Sequence, residues 1–125
     1  MKEELAKYRI NDAREKMLSS EILLKSKQYK DSVSRSYYAM FSAARALLAT
    51  KNYDSAKHSG VIALFNQYFV KKGLVFTEMG RLLAEAKDVR ERGDYADFIE
   101  VSEEEAGRYL DAAKRFIGEI ERVLK

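Results

Sequence analysis

The chain has no cysteine, no proline and no tryptophan, and only 6 glycines and 1 histidine in 125 residues. Each shortage excludes something. Without cysteine there is no disulfide, no thiolate metal site and no cysteine nucleophile. Without proline, and with little glycine, helices can run long without interruption. A single histidine excludes His-rich metal sites and the His-Glu-x-x-His helix of zinc hydrolases. The sequence contains no glycine-rich phosphate loop, no Walker pattern and no Gly-x-Ser-x-Gly elbow. No apolar run approaches the ~20 residues needed to span a bilayer, and Met1-Lys2-Glu3-Glu4 is acidic and helical in character, unlike a signal peptide. The expectations are a cytoplasmic protein with no membrane segment, no metal and no cofactor.

What is present fits one globular domain over residues 1–125: 46% hydrophobic and 34% charged residues suit a soluble fold rather than a disordered chain. Such a length buries roughly two thirds of the unfolded surface. The net charge of +3 is small, but its distribution is uneven. Residues 1–75 hold 14 Lys and Arg against 7 Asp and Glu, whereas residues 76–125 hold 9 against 13. If the halves stay apart in the fold, this dipole steers anionic ligands to the first half or supports antiparallel self-association.

Hydrophobic periodicity predicts about five helices and no strands. The first runs from Leu5 to about Lys27, with Ile10, Ala13, Met17 and Leu24 along one stripe. A tight connection at Gln28 to Asp31 makes it an antiparallel hairpin with the second, from about Lys30 to Thr50. Lys51 to Ser55 is a loop in which Asp54 or Ser55 can cap the third helix, about Ala56 to Lys71. Gly73 is placed to end that helix in a left-handed conformation. Thr77 is the expected cap of the fourth, whose stripe is Met79, Leu82, Leu83, Ala86 and Val89. Ser102-Glu103-Glu104-Glu105 is a capping box that opens the fifth. Arg90 to Phe98 is too turn-rich to extend the fourth helix. The fold class is all-α, an up-and-down bundle.

The second helix lacks a polar side. Val33, Tyr37, Met40, Phe41, Ala44, Leu47 and Leu48 gather on one face, while the other carries Ala39, Ser42, Ala43 and Ala46, with Arg35 and Tyr38 among them. Small residues let a second backbone come close, so this helix is expected to be covered on both sides. Arg35 and Tyr38, three apart and neighbours on that second face, then need partners, either within the fold or in a polar site.

His58 lies in the first turn of the third helix, within Lys57-His58-Ser59-Gly60. The positive end of a helix lowers an imidazole pKa and keeps it neutral near pH 7, the form a general base requires. Backbone N–H groups there can hold a phosphate, Gly60 leaves room for close approach, and Lys51, Lys57 and Arg35 can supply cations. A capping or surface histidine is the alternative. Arg90 and Tyr95 flank the irregular stretch after the fourth helix, where they either bind a ligand or pin the loop.

The segments Arg35-Ser-Tyr37-Tyr38-Ala-Met-Phe41, Lys57-His58-Ser-Gly60-Val-Ile, Tyr68-Phe69-Val-Lys-Lys-Gly73, Arg90-x-x-Gly93-Asp94-Tyr95 and Val101-Ser102-Glu-Glu-Glu105 resemble the HEPN superfamily, the higher eukaryotes and prokaryotes nucleotide-binding domain, in its short stand-alone branch. The resemblance implies a helical bundle that forms homodimers and a minimal nucleotidyltransferase partner in a toxin–antitoxin pair. Many members of that superfamily are metal-independent ribonucleases in which an Arg precedes a His by four to six residues. The His assists proton transfer from the RNA 2′-hydroxyl and the Arg stabilises phosphate charge. Here His58 matches the His. Asn52, Tyr53 and Asp54 stand where the Arg is expected, and only Lys51, with six residues between, is basic; lysine lacks the guanidinium fork. The resemblance therefore supports a nucleotide- or RNA-binding module first, with Arg35, Tyr38, Lys57, Arg90 and Tyr95 as binding residues. An RNase with His58 and Lys51 as catalytic groups comes second, and a non-catalytic interaction scaffold third.

Overall fold

The computed structural model describes residues 1–95 and 99–125, apart from the Tyr95 side chain. Five α-helices account for nearly all of it: α1 (Lys2–Lys25), α2 (Tyr29–Ala49), α3 (His58–Phe65), α4 (Thr77–Tyr95) and α5 (Glu103–Leu124). A π-helical turn, Asn66–Val70, continues α3. No strand occurs among the described residues, as the periodicity predicts.

The hairpin of α1 and α2 turns at Lys27, which adopts φ 63°. The N–H of Gln28 reaches back to the Leu23 carbonyl at 2.9 Å and that of Lys27 to Leu24 at 3.0 Å, satisfying carbonyls at the end of α1. The two helices approach closely through small residues. Ser20, Ser32 and Ser36 are fully buried between them. Ser20 Oγ donates to the Ser32 carbonyl at 2.8 Å, Ser32 Oγ donates to the Ser20 carbonyl at 2.9 Å, and Ser36 Oγ lies 2.7 Å from Ser20 Oγ. That arrangement gives every hydroxyl proton an acceptor, the condition for burying polar groups without penalty.

Helix α2 is the centre of the molecule, packed against α1, α3, α4 and α5. Tyr37, Met40, Leu47 and Leu48 from α2 meet Phe65 and Phe69 from the α3 segment, Leu83 from α4, and Phe116 and Ile120 from α5 in one contiguous core. The Phe65 and Phe116 rings lie 5.5 Å apart. Truncating a ring buried to this degree costs about 3–5 kcal/mol. Because α5 packs on α1 and α2, and α4 on α2 and α3, the basic and acidic halves interleave. The basic and acidic halves of the sequence therefore do not form separate lobes of the fold.

Helix ends differ from expectation in detail. Ser102 Oγ accepts from the Glu105 N–H at 3.0 Å, but the Glu105 carboxylate pairs with Arg92 at 3.1 Å, so half of the capping box forms. Thr77 is the first helical residue of α4 rather than its cap. The N–H ahead of it, on Phe76, is met by Glu119 Oε2 at 3.0 Å from α5, and Glu119 is itself held by Arg122. Gly73 has φ 74° and ends the α3 segment as expected. Helix α3 begins at His58 rather than Ala56.

The largest correction concerns Arg90 to Phe98. Helix α4 continues through Tyr95, because charges four apart pair along it, Lys87 with Glu91 and Arg90 with Asp94, each at 3.2 Å. Gly93 sits within the helix; a Cβ there would lie 3.8 Å from its nearest neighbour, Lys30 Cγ, so glycine is not required for packing. Arg90 is thus a helix residue and not the flank of a loop. Residues 96–98 and the Tyr95 side chain fall outside the described residues, so the Tyr95 expectation does too.

Candidate functional site

Between Ser32 and Ala49 every residue of α2 is buried except Ser34, Arg35, Tyr38 and Arg45. With Ser42, which donates to Asp12 Oδ2 at 2.7 Å, these residues follow spacings of three and four and form a single line along the helix. The expectation that α2 is covered on both sides therefore fails at Arg35. It is exposed, one turn before Tyr38 on this line, because α2 meets its neighbours on the other faces.

His58 folds onto the line from the first position of α3. Its ring stacks on Phe41, centroids 4.1 Å apart and planes 23° apart, and meets the edge of Tyr38 at 5.6 Å. Its Nδ1 lies 2.8 Å from the Tyr37 hydroxyl. Arg90 reaches in from α4, with its guanidinium carbon 5.0 Å from the Tyr38 ring centre and 5.8 Å from that of Tyr37, a cation–π contact with two rings. On the far side of Phe41, one turn on, Arg45 pairs with Asp54 at 3.3 Å. Arg9 donates to the Arg45 carbonyl at 3.0 Å and also approaches Asp54, so the loop before α3 is tied to α1 and α2 beside the site.

The electrostatics follow from this packing. Burial lowers the His58 pKa below its ordinary value, and the cations Arg90 and Lys87 lower it further, against an opposing contribution from Glu91; Arg45 adds to the lowering. The direction matches the expectation drawn from the helix end. The evident causes are desolvation and two arginines from other helices. Burial likewise raises the Tyr37 hydroxyl pKa far above its usual value, so it remains a neutral O–H. The Tyr37–His58 bond exists in either tautomer. When Nδ1–H donates to Tyr37, Nε2 carries the lone pair of a base; when Tyr37 donates, Nε2–H is a donor.

Tyr38, His58 and Arg90 come together, drawn from three helices. Lys51 and Lys57 are exposed, and no hydrogen bond, ion pair or ring contact joins either of them or Arg35 to His58 among the described residues. The space beside Gly60 is also not free for a ligand. A Cβ there would lie 2.0 Å from Ser55 Oγ, so glycine is needed for the chain's own loop. Sequence reasoning assigned Tyr37 and Phe41 to the core stripe, and both are buried; it did not see that they also hold the imidazole. A phenol on an otherwise apolar helix face was the available signal, since a buried hydroxyl demands a partner. Arg45 and Lys87 carried no such signal.

A family model described as the HEPN domain matches residues 6–123. The chain is 39% identical to a protein named "putative toxin" in Methanocaldococcus jannaschii, over 93% of this chain and 86% of that protein. It is 36% identical to a UPF0332 protein of Thermotoga maritima, over 99% of this chain and 94% of that one. A second M. jannaschii protein with the toxin name is 37% identical over 98% of this chain and 83% of its own length.

Proposed function

Because this chain belongs to the HEPN family, we propose that it is a toxin-like HEPN module of the cytoplasm that binds nucleotide or RNA and acts, as a homodimer, with a minimal nucleotidyltransferase partner in a toxin–antitoxin pair. The observation that carries this reading is the constellation of His58, Tyr38 and Arg90, with Phe41 and Tyr37 fixing the imidazole. Aromatic side chains and arginine cations at one surface are the means by which proteins hold single-stranded nucleic acid. The relatives named as toxins favour the toxin-like role, and the bundle of 125 residues is taken as one functional domain.

A second reading, a metal-independent ribonuclease with His58 as acid/base, is favoured by one specific feature: the imidazole is held neutral near pH 7 by burial and by Arg90, the state in which it can accept a proton. Lys51 is not in contact with it, so the electrostatic element in this reading is Arg90.

The test uses a fluorescent single-stranded oligoribonucleotide in EDTA, with binding followed by anisotropy across a salt series and the RNA analysed for products. Salt-sensitive binding without products supports the module. Products that vanish in His58→Gln at unchanged melting temperature support the ribonuclease. Neither binding nor products contradicts both.

A further inference from the structure

Among the described residues, two buried side-chain polar atoms have no hydrogen-bond partner, and they are Arg45 Nε and Arg90 Nε. They come from different helices, and both guanidinium groups act on the same imidazole. Native proteins leave few buried donors unmet, and such donors mark places where a missing partner belongs. Arg90 Nε lies 3.2 Å from Asp94 Oδ2 without forming a hydrogen bond to it. The Arg45 contacts with Asp54 are long, 3.3 and 3.4 Å, and use Nη2 only. Neither carboxylate saturates its arginine.

Along α2 the two arginines are placed on either side of Phe41. His58 stacks on Phe41; Tyr38, which carries Arg90 on its face, lies one turn before Phe41, and Arg45 lies one turn after it. Seven residues of α2 separate Tyr38 from Arg45, about 10 Å of helix axis. Resting on the HEPN reading above, we propose that Arg45 and Arg90 form a two-sided clamp for a phosphate group presented over His58. A guanidinium fork in space thereby replaces the arginine that is absent from the sequence just before His58. Phosphate suits this geometry because its oxygens accept charge-assisted bonds from both forks at once, and Lys87 adds further positive charge nearby. The group can belong to a free nucleotide or to an RNA backbone.

The single histidine makes the test direct, because one imidazole resonance in the NMR spectrum reports the site. Inorganic phosphate titrated into the full chain is expected to raise the His58 pKa saturably, since a bound anion favours imidazolium. Arg45→Gln and Arg90→Gln are each expected to weaken that binding about tenfold, the loss of one charged hydrogen-bonding partner. Arg45→Lys, which keeps the positive charge, is expected to retain more of the binding than Arg45→Gln, and Arg81→Gln, on exposed α4 surface, is expected to leave it unchanged. AMP and a short oligoribonucleotide then compete for the phosphate signal, and the tighter competitor identifies the source. A His58 resonance that ignores phosphate, or responds equally in the Arg45/Arg90 double variant, overturns the clamp even if RNA binds elsewhere. A phosphate response that RNA and AMP leave untouched keeps the clamp and removes the nucleic-acid reading.

Discussion

Helix α2 carries two polar clusters, and they differ in whether their donors are spent. On one side Ser32 and Ser36 meet Ser20 of α1, and every hydroxyl proton has an acceptor. On the other, around Tyr38 and His58, the Nε groups of Arg45 and of Arg90 from α4 have no hydrogen-bond partner among the described residues. The first cluster lets two helices approach and is complete as it stands. The second is half-buried and incomplete. Saturation, more than burial, separates a polar group that builds the fold from one that awaits a ligand.

That contrast can be broken in order of effect. The largest change is expected from Ser36→Leu, which forces a bulky side chain into the fully closed α1–α2 contact and destabilises by about 3 kcal/mol, measured by urea unfolding. A neutral result would mean the serine contact is not tightly packed. Ser20→Ala removes the hub of the cluster and is expected to cost about 1–2 kcal/mol by the same measurement, since the Ser36 hydroxyl loses its partner. Arg90→Gln is expected to change stability by less than about 0.5 kcal/mol while raising the His58 pKa, because a repelling cation is gone. A loss as large as that of Ser20→Ala would place Arg90 with the structural cluster.

The smallest effect is on pH dependence. The folded His58 pKa lies below its ordinary value, so the unfolded chain binds the proton more readily. The associated stability is complete above about pH 6.5 and is lost as pH falls toward the folded value. In His58→Gln the stability profile between pH 7 and 5.5 is expected to flatten relative to the parent; an unchanged slope would show that the imidazole is not buried enough to matter.

The all-α class and four of the five helix starts, within about two residues, were legible from periodicity, because α5 and α2 repeat their apolar residues with regular spacing. The Arg90–Asp94 continuation of α4 was not, since a Gly-Asp pair signals a turn locally and the ion pairs that overrule it depend on the helix already being present. In the site, Tyr38, His58 and Arg90 could be named individually. Their meeting, and the placement of Arg45 beside Asp54, could not, because the sequence around Arg45 reads only as a mostly buried helix and these contacts join residues from separate elements. Arg35 was misread for the converse reason: a face rich in alanine suggested cover on all sides, but the cover stops short of the line that Arg35 begins.

The most direct measurement is backbone and side-chain NMR mapping of the whole protein with a single-stranded oligoribonucleotide. The shifts are expected to cluster at Tyr38, Phe41, Arg45, His58, Lys87 and Arg90 and to leave Ser20, Ser32 and Ser36 unmoved. Shifts confined to another surface, or none at RNA concentrations well above micromolar, would contradict the assignment of this face as the place where the protein meets its ligand.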